Sequence, residues 1–443
     1  MPKWQSVDFA PTVNLAVILT VTLASTERTA VISYDDAVKL ILAVAGPSPG
    51  VQLPLKEALG YALARDVFAA LDQPPFHRSP LDGFAFRAAD TEGAEPCSPA
   101  KLTVSGYIPA GTVYDAPLKQ GEAVRIFTGA MLPLDADAVV AQEKAIHHDN
   151  SLLLERRYSA GENVAWAGED VLCGSLLLPA GTLLGPAELG LIASQGISSV
   201  PVYPKPRVAI LTSGSELLEI GEPLSPGKIY NSNRYLMEAL VSRAGAFPDY
   251  RGKISDVPDD LRKAIAQASQ VADFVLTTGG VSVGDHDLTP AAVAGTGAEI
   301  LFHRVAIKPG TPVLAAKLGN KLIFSLSGNP AASLVTFLQF VLPALQLARG
   351  VNWQQQVVKA LITKSFPRKK DQIRFLSAKT IFSGGRFVSE PQSLQKSGVI
   401  TSFRGVNSLI ILPPGQGELA AGSMADVQLF PQIFDNLPLA GRE

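Results

Sequence analysis

The sequence predicts an α/β-plus-β chain of several domains, with a doubly wound parallel sheet in the middle, a β-rich region before it and a small β-barrel after it. Three observations carry that prediction. Between residues 205 and 349, apolar runs of strand length alternate with helical stretches, as parallel βαβ units require. From about 66 to 185, and again beyond 350, short β runs are separated by Gly, Pro and Asp, and helix signals are few. Stiff segments, Gly-Pro-Ser-Pro-Gly at 46–50 and Tyr-Pro-Lys-Pro at 203–206, punctuate the chain between these regions. The expected division is an extension at 1–30, a linker domain from 31–50 and 175–204, an inserted β-rich domain at 51–174, the α/β domain at 205–349 and the barrel at 350–443.

Composition bounds the partners. The chain has 443 residues, 47% of them hydrophobic, and a formal net charge of −2, which is too balanced for a nucleic-acid binder. Two cysteines, Cys97 and Cys173, cannot form a disulfide framework, and the five histidines lack zinc-ligand spacing. A reducing cytoplasm fits. Beyond residue 350 there are 11 Lys/Arg against 6 Asp/Glu, a local +5 that leaves −7 elsewhere. A basic lobe beside an acidic body suits a shared anionic ligand; a solvated positive face is the plainer alternative.

In chain order, the apolar run at 13–24 is shorter than the roughly 20 residues that span a bilayer and has only Lys3 as a basic flank. No membrane span is expected. Residues 1–30 read as an extension without function ahead of a start at Val31, with a signal peptide as the alternative. Ser33 opens an amphipathic helix over 33–45 with Asp35 and Asp36 in its first turn. A second helical stretch is expected around 54–64. Strands follow at 102–108, 122–127, 138–142, 151–155 and 175–178, then a helix at 186–195. The α/β unit runs as strand 208–211, helix 233–244, strand 250–254, a helix capped by 255–258 and reaching 272, the central loop, a helix near 289–294, strands at 300–307 and 321–326, and an apolar helix at 331–348. Strands at 357–363, 372–379, 386–390, 408–412 and 425–430 complete the barrel.

The central stretch, residues 272–287, passes from a strand into Thr278-Gly279-Gly280-Val281-Ser282-Val283-Gly284-Asp285-His286-Asp287. Glycines let backbone N–H groups turn toward an anion, and the helix after them adds its positive end. The expected anion donors are the N–H groups of Gly279 to Ser282. Asp285 and Asp287 would repel a phosphate unless a hard cation stood between, so the loop asks for anion plus metal. Thr212 to Glu216, Asp256, the central loop and Gly328-Asn329 all fall at the carboxyl ends of parallel strands, where such sheets bind ligands. Upstream, Pro-rich 74–81 leads to Asp82-Gly83, and a strand ends at Thr128-Gly129.

Thr278-Gly-Gly-Val-Ser-Val-Gly-Asp-His-Asp287, with Leu81-Asp82-Gly83-Phe-Ala upstream and Ile307-Lys308-Pro309-Gly310 downstream, resembles the molybdopterin molybdenumtransferase family (MoeA), to which gephyrin's enzymatic domain is related. The resemblance runs from Val31 into the C-terminal region. It implies that the α/β domain binds molybdopterin, and an elongated homodimer whose active site is shared between subunits. The activity implied is the last step of molybdenum cofactor biosynthesis, in which adenylated molybdopterin is cleaved with Mg2+ present, molybdate is inserted and AMP leaves. Carried over by position, it implies catalytic roles for Asp82, Thr128, Asp170, Glu216, Asp256, Asp287, Arg304 and Lys308. It implies ligand binding at Thr278, Gly279, Gly280, Ser282, Gly284, Gly328, Asn329, Arg374 and Ser397, and a metal at Asp256, Asp285 or Asp287. Contact with the molybdopterin adenylyltransferase is also implied. Two other functions fit parts of the pattern: a molybdopterin-binding or scaffold protein with weak catalysis, and the adenylyltransferase itself. The chain departs from the family at Arg304, where lysine is usual, at Ser327, where proline is usual, and at Ala165-Trp166-Ala167, where basic residues are frequent.

Overall fold

The computed structural model describes residues 31–281 and 289–434, so the expected extension and the loop residues Ser282, Gly284, Asp285 and Asp287 lie outside the described residues. The chain forms two compact units, an inner one from Gly50–Val202 and an outer one from the chain on either side. The expected linker segments fall in different units. Val51–Pro54 pairs antiparallel with Ser199–Val202 inside the inner unit, whereas Ile32 bridges Val305 in the outer one.

The inner unit holds a six-stranded sheet in the order Ala138–Ala141, Gly83–Phe86, Glu122–Ile126, Ala100–Ile108, Ser151–Leu154, Ile146–His148. Successive residues alternate between two cores: Phe84, Phe86 and Val140 pack on one face, Ala85, Val124 and Val139 on the other. The helix expected at 54–64 does not form. Its residues make only a 3-10 turn at Leu55–Glu57, because Gly60 takes a φ of 75° and Leu63 and Ala64 donate to Thr182 and Pro201 carbonyls of neighbouring chain. Long-range pairing wins over local helix propensity here.

In the outer unit the central sheet has the order Phe247–Ile254, Arg207–Ser213, Phe274–Thr278, Lys321–Leu326, Leu314–Leu318, Glu299–His303. The first four strands are parallel, as expected for βαβ units, and the last two continue antiparallel. The expected strand at 300–307 is two, Glu299–His303 and Ile307–Lys308, because Arg304 breaks it with a φ of 77°. Leu314–Leu318 was not among the expected strands; its Leu-Ala-Ala-Lys-Leu sequence carries no β signature. Ile210, Leu276 and Phe324 bury one face against helices Ser232–Arg243 and Pro330–Ala348, and Leu211, Val275 and Ile323 bury the other against Pro258–Val271. Helix Pro330–Ala348 is long and apolar enough to cross a membrane, yet most of it is buried in this core. It contains a π-helical turn at Phe337–Val341.

Five strands close into the expected barrel. Ile373–Ser383 pairs with both Arg386–Pro391 and Ser408–Leu412, and Gln356–Ile362 and Met424–Leu429 complete the ring. Ile307–Lys308 adds to the barrel strand Ile373–Ser383, placing Lys308 in register with Arg374.

Candidate active site

The parallel strands of the outer unit end at a cavity of about 570 Å3 bordered by Ser213, Gly214, Glu216, Asp256, Thr278 to Val281 and Ser327 to Pro330. Four loops far apart in sequence therefore converge where the sheet topology predicts a ligand. The expected residues Glu216, Asp256, Thr278, Gly279, Gly280, Gly328 and Asn329 all border it. Ser397 joins them through the barrel: its carbonyl accepts from Ala331 N at 3.0 Å, and Gly398 and Ile400 border the cavity.

Asp256 does not cap the helix that follows it. The cap position is Val257, and the Asp256 carboxylate reaches back across the strand ends, accepting from Ser213 Oγ at 2.6 Å and from Ser215 N at 3.2 Å. Lys228 Nζ donates to Ser215 O at 2.7 Å from the other side, so the 213–216 loop is pinned twice. The glycines have separate reasons. A Cβ on Gly279 would lie 2.1 Å from Ser213 O, and the Gly279 N–H donates to Leu326 O at 3.2 Å. Gly279 is thus required for close packing of two loops, and its N–H is used by the sheet rather than turned toward an anion as expected. At Gly214, with a φ of 151°, an added Cβ would meet the Glu216 carboxylate.

Ser327 stands where the resemblance expects proline. Its Oγ accepts from Asn329 N at 3.2 Å, and its carbonyl accepts from Ser333 Oγ, so hydrogen bonds do the shaping that a ring would do. Lys308 and Arg374 sit side by side on adjacent strands. Arg374 Nη1 donates to Pro367 O at 2.5 Å, its buried Nε has no partner among the described residues, and burial pulls its guanidinium below the ordinary arginine range. Arg304 keeps its backbone in the left-handed region through two bonds, its N–H to Val313 O and its carbonyl from Ile32 N.

Asp82, Thr128 and Asp170 belong to the inner unit. The structure brings the first two together: Asp82 Oδ1 accepts from Thr128 N at 2.8 Å and from Thr128 Oγ1 at 2.7 Å. The backbone bond from Thr128, then its side-chain bond, hold the Asp82 carboxyl below the usual range. Asp170 lies on a neighbouring loop, its N–H donating to Gln73 O. That loop replaces the basic residues of the family with Trp166, whose ring meets His77 edge-on at 4.7 Å.

Sequence reading missed several residues at the cavity: Tyr230, Ser232, Asn233 and Ile400. Asn231 and its neighbours sit at a helix start, and Asn231 does cap it, accepting from Arg234 N. An asparagine at a helix N-terminus is explained by capping alone, which hides any further role for the next one. Behind the cap, Glu219 accepts from Arg234, Tyr250 and Asn231; burial pushes its carboxyl up, but these bonds outweigh it and leave it below the usual range.

Among the described residues no three His, Cys, Asp or Glu groups cluster as a metal site. Asp256 and Glu216 nevertheless supply hard carboxylate oxygens at the cavity edge. That donor set suits magnesium, which commonly keeps several waters and takes one or two carboxylates plus substrate phosphates.

Comparison with known proteins covers the whole of this geometry. Residues 32–196 match the family description "MoeA N-terminal region (domain I and II)", 209–347 match "Probable molybdopterin binding domain" and 359–430 match "MoeA C-terminal region (domain IV)". The molybdopterin molybdenumtransferase of Bacillus subtilis (strain 168) is 40% identical over 408 residues, covering 91% of this chain and 95% of that protein. That of Staphylococcus aureus (strain MSSA476) is 34% identical over 399 residues, 90% of this chain and 95% of its own. The crystal structure of the molybdopterin biosynthesis MoeA protein from Pyrococcus horikoshii OT3 superposes with a TM-score of 0.77 at 30% identity, covering 90% of this chain and 100% of that one.

Proposed function

We propose, given that this chain belongs to the MoeA family and is a molybdopterin molybdenumtransferase, that it inserts molybdate into adenylated molybdopterin with magnesium present and releases AMP. The observation that carries this reading is the convergence of Asp256, Glu216 and the Thr278–Val281 and Ser327–Pro330 turns on one cavity at the strand ends. Breaking a pyrophosphate moves charge onto phosphoryl oxygens, so catalysis asks for positioning and cations rather than a covalent nucleophile. Magnesium, when bound, supplies positive charge there; Asp256 would hold it, with Asp285 and Asp287 of the central loop as further candidates. The chain's own contribution is the pinned 213–216 loop, which fixes Asp256, and the paired cations Lys308 and Arg374. Arg374, whose Nε has no partner among the described residues, and Ser397 beside the Asn329 turn are suited to a tetrahedral oxyanion such as molybdate.

The reading extends to a cytoplasmic homodimer in which Asp82, Thr128 and Asp170 of one chain complete the site of the other, and to contact with the adenylyltransferase that acts before it. Incubating purified protein with adenylated molybdopterin, magnesium and molybdate should release AMP and yield active cofactor; ATP consumption with bare molybdopterin would point to adenylyl transfer instead. Mixing Asp82→Ala and Asp256→Ala chains at ~1:1 should restore roughly a quarter of wild-type activity, because half of randomly paired dimers are mixed and each carries one intact site. No recovery after confirmed subunit exchange would place both residues in one chain's site.

A further inference from the structure

We propose that Asn233 is a specificity-determining residue whose side-chain carbonyl accepts a hydrogen bond from the exocyclic amine of the heterocycle bound in the cavity. The inference rests on the reading that this cavity holds an adenylated pterin. Asn233 lies in the first turn of helix Ser232–Arg243 and is only 8% exposed. Its Nδ2 donates to Gly328 O at 2.9 Å, which fixes the plane of the amide and hence the direction of Oδ1. Oδ1 is buried and has no donor among the described residues, although Asn233 borders the cavity.

A buried amide oxygen without a donor has given up water and gained nothing in exchange, and such groups in native proteins call for a cause. A ligand N–H arriving in the cavity supplies the missing bond. The surroundings say which part of a ligand this is. Leu217, Ile229, Tyr230 and Ile400 give the cavity apolar side chains, whereas its glycine turns lie at the strand ends. An aromatic ring suits the former and its phosphates the latter. A ring carbonyl facing Oδ1 would set lone pair against lone pair, so the group read is an N–H donor, and the exocyclic amine is the donor that both ring systems of the substrate share. The adenylated substrate carries two rings with that amine, a 6-aminopurine and a 2-aminopterin. Their chemistry at this contact is the same.

The test compares ligand pairs that differ by the amine alone. Purified full-length protein is titrated calorimetrically with AMP and purine riboside 5′-monophosphate, and with pterin and 4-hydroxypteridine. The wild type should bind the aminated member of one pair about tenfold more tightly, the loss expected when one ligand donor leaves a buried acceptor unpaired. In Asn233→Leu that preference should fall to near one. A purely structural asparagine would weaken both members equally and leave the ratio intact. Ratios near one for both pairs in the wild type, with AMP and pterin still binding, overturn this inference and leave the proposed function standing. A ratio that survives Asn233→Leu overturns it as well, and binding of none of the four probes removes both readings. The wild-type ratios keep the test decisive if Asn233→Leu fails to fold.

Discussion

Asp82 in the inner unit and Asp256 in the outer one are held by the same kind of donor pair, one hydroxyl and one backbone N–H, yet the pair is distributed differently. At Asp82 both donors belong to Thr128 and both converge on Oδ1. At Asp256 Ser213 Oγ takes Oδ1 and Ser215 N takes Oδ2. A carboxylate has about four acceptor positions. The first arrangement leaves one oxygen wholly open to a single partner, and the second leaves each oxygen one position for a group shared between them. The Asp82 geometry suits a directed hydrogen bond, and the Asp256 geometry suits a cation.

The largest expected effect tests the second half of that comparison. Asp256→Ala should lower single-turnover AMP release at saturating magnesium by on the order of 10²-fold or more, the cost of losing one strong electrostatic element. Because Asp256 is exposed, its thermal midpoint should move by no more than about 2 °C. A loss of less than about threefold would reduce Asp256 to a clamp on the 213–215 loop.

The next effect is smaller and tests whether Thr128 acts through Asp82. Asp82→Ala should cost roughly 10- to 100-fold in activity and Thr128→Val about tenfold, with the double variant no worse than Asp82→Ala, since groups acting as a unit are not additive. Fully additive losses would mean that Thr128 contacts the ligand on its own account. The two residues should also share a pH signature. A carboxyl whose folded pKa is depressed keeps its charge above the unfolded value and loses it only as pH falls through the lower folded one. In Thr128→Val the acid limb of the kcat/KM profile should therefore shift upward, toward the ordinary aspartate value of about 4. An unmoved limb would assign it to another group.

These contrasts explain which parts of the molecule were legible beforehand. The βα alternation, the Gly279-Gly280 turn and the isolated acids at strand ends are local patterns, and the sequence displays them. Asp256 reads as a cap because Pro258 follows it, and nothing nearby announces that its partners lie 43 and 41 residues upstream. The stretch 54–64 reads as helix because its competitor, pairing with 182–202, is equally remote. Gly279 was recognised as necessary for a reason that proved different: the carbonyl of Ser213, not an anion, occupies the space a side chain would need. Asn233 was overlooked because its position already had an explanation.

A third loop carries the same device in its weakest form and gives the smallest expected effect. Ser327 Oγ accepts from Asn329 N at 3.2 Å, so the acceptor is a neutral hydroxyl where Asp82 and Asp256 offer a carboxylate. Neutral hydrogen bonds contribute about half as much as charge-assisted ones. Ser327 is also 4% exposed, so its removal leaves the Asn329 N–H short of a partner beside the cavity. Ser327→Ala should accordingly raise KM by about two- to fivefold with kcat nearly unchanged, because the turn loosens where ligand is held while the carboxylates stay in place. Ser327→Pro restores the residue usual in the family and fixes the turn through its ring instead. If hydrogen bonding here substitutes for that ring, Ser327→Pro should bring KM back to within about twofold of the parent chain. Equal damage from both substitutions would show that the hydroxyl has a partner other than the turn.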